Sequence, residues 1–168
     1  SLALFGMISI AALGLLGLNQ SNEKLRMINE DRLVPVKDLS TVQESLQEMQ
    51  LQSTKLSYVI DQKDVKEHFD QIMKVDKIFN EKWAKYKATY LTPEETELAN
   101  RFLSQAESYM QARNQFLNLI GNNDFVAAQN YLMKEVDPKF RQAVMGMTDL
   151  LELQTTIAQS EYSETIAM

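Results

Sequence analysis

The chain has 168 residues, a formal net charge of -6, no cysteine, 5 glycines and 3 prolines. Without cysteine there are no disulfides, zinc-thiolate sites, iron-sulfur clusters or covalent c-type haem. An acidic chain with no dense run of Lys and Arg also offers no surface to nucleic acid. The abundance of Leu, Met, Gln, Glu, Lys and Ala, with so few helix breakers, points to an all-α domain.

Leu2 to Leu18 carries no charged residue. It falls slightly short of the about 20 residues that cross a bilayer, and no small-x-small cleavage site follows it. Residues 1–18 are expected to be the C-terminal part of a first transmembrane helix, and 19–168 the domain it carries. From Leu18 an apolar stripe recurs every third and fourth residue through Leu25, Ile28, Leu39, Val42, Leu46, Met49, Leu56 and Ile60. That spacing predicts one long helix to about Asp61. Pro35 should kink or restart it, since proline lacks the N–H and crowds the carbonyl four residues back.

Asp61-Gln62-Lys63-Asp64 breaks the stripe, and a second helix is expected from about Asp64 to Tyr90. Its inward face is aromatic (Phe69, Phe79, Trp83, Tyr86) with one carboxylate, Asp76. Thr92-Pro93-Glu94-Glu95 combines a capping threonine, a proline at the first helical position and a glutamate able to close a capping box. A third helix follows to about Ile120, with Phe102, Gln105, Tyr109, Ala112 and Phe116 on its main stripe. Gly121 suits a left-handed cap. A short amphipathic segment runs from Phe125 to Lys134, then Asp137-Pro138 opens a last helix that nothing terminates before Met168. Its inward face reads Phe140, Val144, Met147, Leu151, Gln154.

Four long helices on short turns make an up-down-up-down antiparallel four-helix bundle whose first helix extends from a truncated transmembrane segment. Both chain ends then point the same way, as suits a domain held by two membrane spans.

The run Leu13-Gly14-Leu15-Leu16-Gly17-Leu18 passing into a polar helix, then Asp31-Arg32-Leu33-Val34-Pro35-Val36-Lys37-Asp38-Leu39, resembles the four-helix-bundle sensor domain of bacterial methyl-accepting chemotaxis receptors. Asn123-Asp124-Phe125 to Pro138, leading into a long last helix, is similar to that family as well. The resemblance implies a periplasmic, homodimeric, ligand-binding domain on an inner-membrane receptor, with the first helix forming much of the dimer contact. Relatives on sensor histidine kinases share the fold. The alternative is such a kinase sensor, or a helical module that dimerises or recruits a protein without any small ligand.

Catalysis is not expected, because few polar groups converge on the inward faces. His68 is the only histidine, which rules out a two-histidine di-iron bundle. Methionines at helical spacing read as core. No metal or cofactor is expected.

Small-molecule recognition between facing helices is the better fit, and in the resembling family anionic ligands are held by arginine. Arg113 and Tyr109 lie one turn apart and can reach one carboxylate, the arginine through a fork of donors. At comparable depth stand Ser53, Thr54 and Tyr58 on helix one, Asp76 on helix two, and Arg141 and Thr148 on the last helix. Arg113 either contacts an organic acid or amino-acid ligand or pairs with Asp76. Arg32 is expected to pair with Glu94 or Glu95 near the membrane. Gln43, Gln47, Gln50 and Gln52 read as a solvated or dimer-facing surface.

Overall fold

The computed structural model describes residues 34–58 and 62–166. The expected span at 1–18 and the expected pairing of Arg32 lie outside these residues. Among the described residues no helix is long and apolar enough to cross a membrane, and there is no strand. Among the described residues five α-helices occur in order: α1 Val34–Leu56, α2 Gln62–Lys87, α3 Pro93–Gly121, α4 Phe125–Tyr131 and α5 Asp137–Ile166. A π-helical turn, Leu132–Val136, joins the last two.

The four long helices form the expected all-α bundle. α1 packs along α2, α3 along α5, and α1 also meets α5. α2 and α3 touch through rings: Phe102 lies 5.0 Å from Trp83 and 6.3 Å from Phe79. The core runs the length of the bundle through Leu39, Val42, Leu46 and Met49 of α1, Ile72 and Phe79 of α2, Phe102, Tyr109 and Phe116 of α3, and Met147 and Leu150 of α5. Asp38 of α1 pairs with Lys82 of α2 at 2.6 Å, and Gln154 of α5 donates to Tyr86 and to the buried carboxylate of Glu95. These contacts set the start of α1 and the C-terminal half of α5 at the same end of the bundle, here called proximal.

Thr92 begins α3 as its spacing dictates. Its hydroxyl accepts from the Glu95 N–H at 3.2 Å while the Glu95 carboxylate accepts from the Thr92 N–H, with Pro93 at the first position. At the distal end the left-handed residue is Asn123, φ 60°, and not Gly121. The helix extends through Gly121, and an asparagine tolerates that region because its short polar side chain can hydrogen-bond locally. Asp124 then caps α4, accepting from Ala127 N–H at 3.2 Å.

Asp137-Pro138 does not restart the helix from a break, because the chain stays helical through the π turn. The N–H of Asp137 reaches back five residues to the Leu132 carbonyl. Two features of the sequence ask for that turn. Pro138 donates nothing and crowds the carbonyl four residues back, which a wider turn relieves. Inward residues Ala128, Leu132, Val136 and Phe140 also fall four apart. At about 100° per residue each such step over-rotates by about 40°, so three steps accumulate roughly one residue of drift, which the extra residue of a π turn takes up. Along α5 the buried seam is Ala143, Met147, Leu150 and Gln154, with Phe140, Val144 and Leu151 half-buried.

Candidate functional site

The distal half of the bundle holds a polar layer inside an apolar core. Arg113 enters it from α3 and is only 2% exposed, although its row on the helix flanks the main stripe. Its two terminal nitrogens fork onto the Asp76 carboxylate of α2 at 2.6 and 2.8 Å. One of them also lies 2.7 Å from the Met49 sulfur of α1, and the other donates to Asn114 Oδ1 at 3.0 Å. Nε is buried and has no partner. Such forked, charge-assisted bonds are among the strongest available to side chains. The pair is nevertheless lopsided, for the Asp76 side chain is 20% exposed while Arg113 is not.

One turn earlier on α3, Tyr109 is fully buried, its ring centroid 5.6 Å from that of Phe140. Its hydroxyl lies near the Ser53 hydroxyl but makes no hydrogen bond of regular geometry. Burial is the main reason its phenol is pushed well above the ordinary tyrosine range. Asp76 and Asp137 push the same way, against Arg113 and Ser53. The phenol is therefore a neutral donor. The neighbouring Ser53 hydroxyl spends its proton on the Met49 carbonyl at 2.8 Å. Gln50 donates to Asp137 Oδ1 at 2.6 Å, which leaves Gln50 Oε1 buried and unpartnered.

Among the described residues five buried side-chain polar atoms make no regular hydrogen bond; Gln105 Oε1 and Gln154 Oε1 lie toward the proximal end, while Gln50 Oε1, Tyr109 Oη and Arg113 Nε fall in this layer. Each such atom costs about 1–3 kcal/mol. What the three in the layer lack is complementary to a small molecule that accepts from the phenol and guanidinium and donates to the amide.

Of the residues singled out by depth, Arg113, Tyr109, Ser53 and Asp76 come together. Thr54 is half-buried beside them, its hydroxyl donating to the Gln50 carbonyl at 2.9 Å. Three do not join the layer. Tyr58 is 74% exposed at the distal tip. Arg141 and Thr148 lie on the outer face of α5, Thr148 donating to Val144 O at 2.9 Å. Arg141 adjoins Phe140 at the edge of the layer, whereas Thr148 lies proximal to it, next to Asp149, which pairs with Arg101. Residues that depth alone missed are Met49, Gln50, Asp137 and Phe140. The Asp137 signal was its place immediately before Pro138, which marks where α5 enters the layer.

Away from the layer, His68 of α2 shares a hydrogen with Gln52 Oε1 of α1, whose amide donates to Glu48. They line an open groove of about 540 Å³ between α1 and α2. A second groove of about 400 Å³ between α1 and α5 is bordered by Gln43, Thr148, Leu151 and Thr155. Neither is lined by Arg113 or Tyr109. Among the described residues no group of His, Cys, Asp and Glu could hold a metal ion.

No curated protein matches the sequence. Among solved structures, the periplasmic sensor domain of a sensor histidine kinase is similar, with a TM-score of 0.68 and 13% identity over 80% of this chain and 89% of that one. At that identity the likeness speaks to the fold. A match over residues 1–168 is found with one family, described as the four helix bundle sensory module for signal transduction, and to that family this chain belongs.

Proposed function

We propose that this sensory module is the extracytoplasmic, ligand-binding input domain of a homodimeric transmembrane receptor of the chemotaxis type, anchored in the inner membrane by flanking spans with the domain in the periplasm. The ligand is a small organic acid or amino acid held in the Arg113 layer by Arg113, Tyr109 and Ser53, with Asp76 and Thr54 at its border. The observation that carries this reading is the set of unsatisfied buried atoms on Gln50, Tyr109 and Arg113. The resemblance of Asp31 to Leu39 supports the receptor class, and the common proximal end of α1 and α5 supports two flanking spans. α5 is the element that passes the state of the layer onward: it supplies Asp137 and Phe140 to that layer and runs without a break to Ile166.

A second reading is favoured by the Asp76 fork on Arg113, which already neutralises the arginine. On that reading the bundle dimerises or recruits a protein and takes no small ligand. Thermal unfolding of the chain against a panel of organic acids and amino acids separates the two, because a ligand that binds only the folded state raises its melting temperature. The first reading expects at least one compound to raise it in a saturable manner and to lose that effect in Arg113→Lys. A panel without a single saturable response sinks it.

A further inference from the structure

We propose that Asp76 is an internal stand-in for the ligand: its carboxylate occupies the anion position on Arg113, and a carboxylate ligand enters by displacing it. This rests on the ligand-binding reading above and specifies how that site is regulated.

Three observations meet here. Burial is unequal, the guanidinium lying inside at 2% exposure and the carboxylate at 20%, so Asp76 is the member of the pair that solvent reaches. A buried guanidinium stays charged and cannot be left without an anion, so whatever replaces Asp76 must bring one negative charge and two oxygens to the same fork. The surrounding atoms are set for more than Asp76 supplies, since Arg113 Nε has no acceptor and Tyr109 Oη makes no hydrogen bond of regular geometry. An incoming carboxylate with further polar groups satisfies them where the short aspartate side chain does not.

The helices give displacement a mechanical meaning. Arg113 is held to α1 by Met49 and to its own α3 by Asn114, while Asp76 alone ties it to α2. α2 packs chiefly on α1, and its aromatic contacts with α3, through Phe79 and Trp83, lie on the proximal side of Asp76. Removing Asp76 from the fork therefore frees the distal half of α2 from α3 and leaves the aromatic hinge in place. The same competition sets the threshold, since a site whose open state is a minor fraction binds more weakly by that fraction.

The test uses sodium formate and sodium acetate as probes on the full chain, with sodium chloride at equal ionic strength as reference, read as the shift in melting temperature. In Asp76→Ala the vacated fork should take up formate: the melting temperature, lowered by the substitution, recovers saturably, with a midpoint at least roughly tenfold below that of the unaltered chain. Asp76→Asn keeps the shape without the charge and is expected to respond in the same direction, so the proposal stays testable if the alanine variant does not fold. Asp76→Ala with Arg113→Leu should lose the response. If both single variants answer formate and acetate no more than chloride, or if the double variant answers equally, Asp76 is an ordinary structural partner and the stand-in is refuted. That result leaves the panel screen of the unaltered chain, and with it the sensor reading, untouched.

Discussion

The Tyr109 hydroxyl is buried without a hydrogen bond of regular geometry, which makes Tyr109→Phe informative in two directions. Removing an unsatisfied buried hydroxyl should raise the stability of the unliganded chain by about 1 kcal/mol, measured by denaturant unfolding. The same change should weaken the thermal response to any ligand that uses the phenol. A gain in stability together with a loss of response marks a group kept for binding; a loss of both marks one kept for structure. The phenol also dictates an alkaline limit. Burial raises its folded-state pKa above the ordinary 10.0, so in the folded chain it keeps a proton that the unfolded chain releases. Its contribution is full below about pH 10 and declines as the pH rises through that value, and the decline should be shallower in Tyr109→Phe. Replacing both Asp76 and Arg113 by apolar residues of similar volume should leave stability unchanged or higher, whereas replacing either alone should cost about 3 kcal/mol, because a single change strands a buried charge.

Among the elements, α5 and its π turn explain most of what periodicity did and did not reveal. The Thr92 capping box and the aromatic stripe of α2 were legible because each depends on residues close in sequence. Arg113 and Asp76 were legible as partners in depth, but the burial of Arg113 was not, since its helical row flanks the core and only the approach of α2 draws it inward. Arg141 and Thr148 were candidates by depth alone; both are exposed, and Thr148 proves to lie proximal to the layer, beside the Asp149 that pairs with Arg101. The four-residue spacing of Ala128, Leu132, Val136 and Phe140 is the pattern that the π turn accommodates. If the π turn is a phase adjuster, deleting the exposed Lys134 together with Pro138→Ala should give a continuous helix with α5 still in register. Its stability should stay within about 1 kcal/mol of the parent, while deletion of the exposed Glu107 within regular α3 should cost more than about 3 kcal/mol. Farther along α5, a Cβ on Gly146 would lie 2.0 Å from Gln105 Oε1 and 3.4 Å from the Phe102 backbone. The nearer obstacle is the end of a flexible side chain. Gly146→Ala should therefore be close to neutral alone, and stabilising by about 1 kcal/mol with Gln105→Ala, where helix propensity is gained without the clash.

At the scale of the whole molecule the bundle connects a distal polar layer to a proximal end where α1 begins and α5 departs. A ligand moves such a device only through differential affinity for two arrangements. On the reading proposed here the Asp76 fork and the unsatisfied atoms around Tyr109 would supply that difference, one holding the present arrangement and the other favouring a filled one. The four-helix architecture was readable from composition, turns and stripe spacing because helices of this kind depend mainly on local pattern and an apolar face. The interior polar layer was not, because it is a property of four rotations at once.

The claim that joins these scales is that Arg113 receives the ligand, and its own Nε–H resonance in the nitrogen-proton NMR spectrum reports on it directly, assigned by its disappearance in Arg113→Lys. Added organic acids and amino acids are expected to include one that shifts this resonance saturably, at the same midpoint as the thermal response. A compound that binds saturably and raises the melting temperature while the Arg113 Nε–H resonance stays where it was would place the site elsewhere and contradict the account.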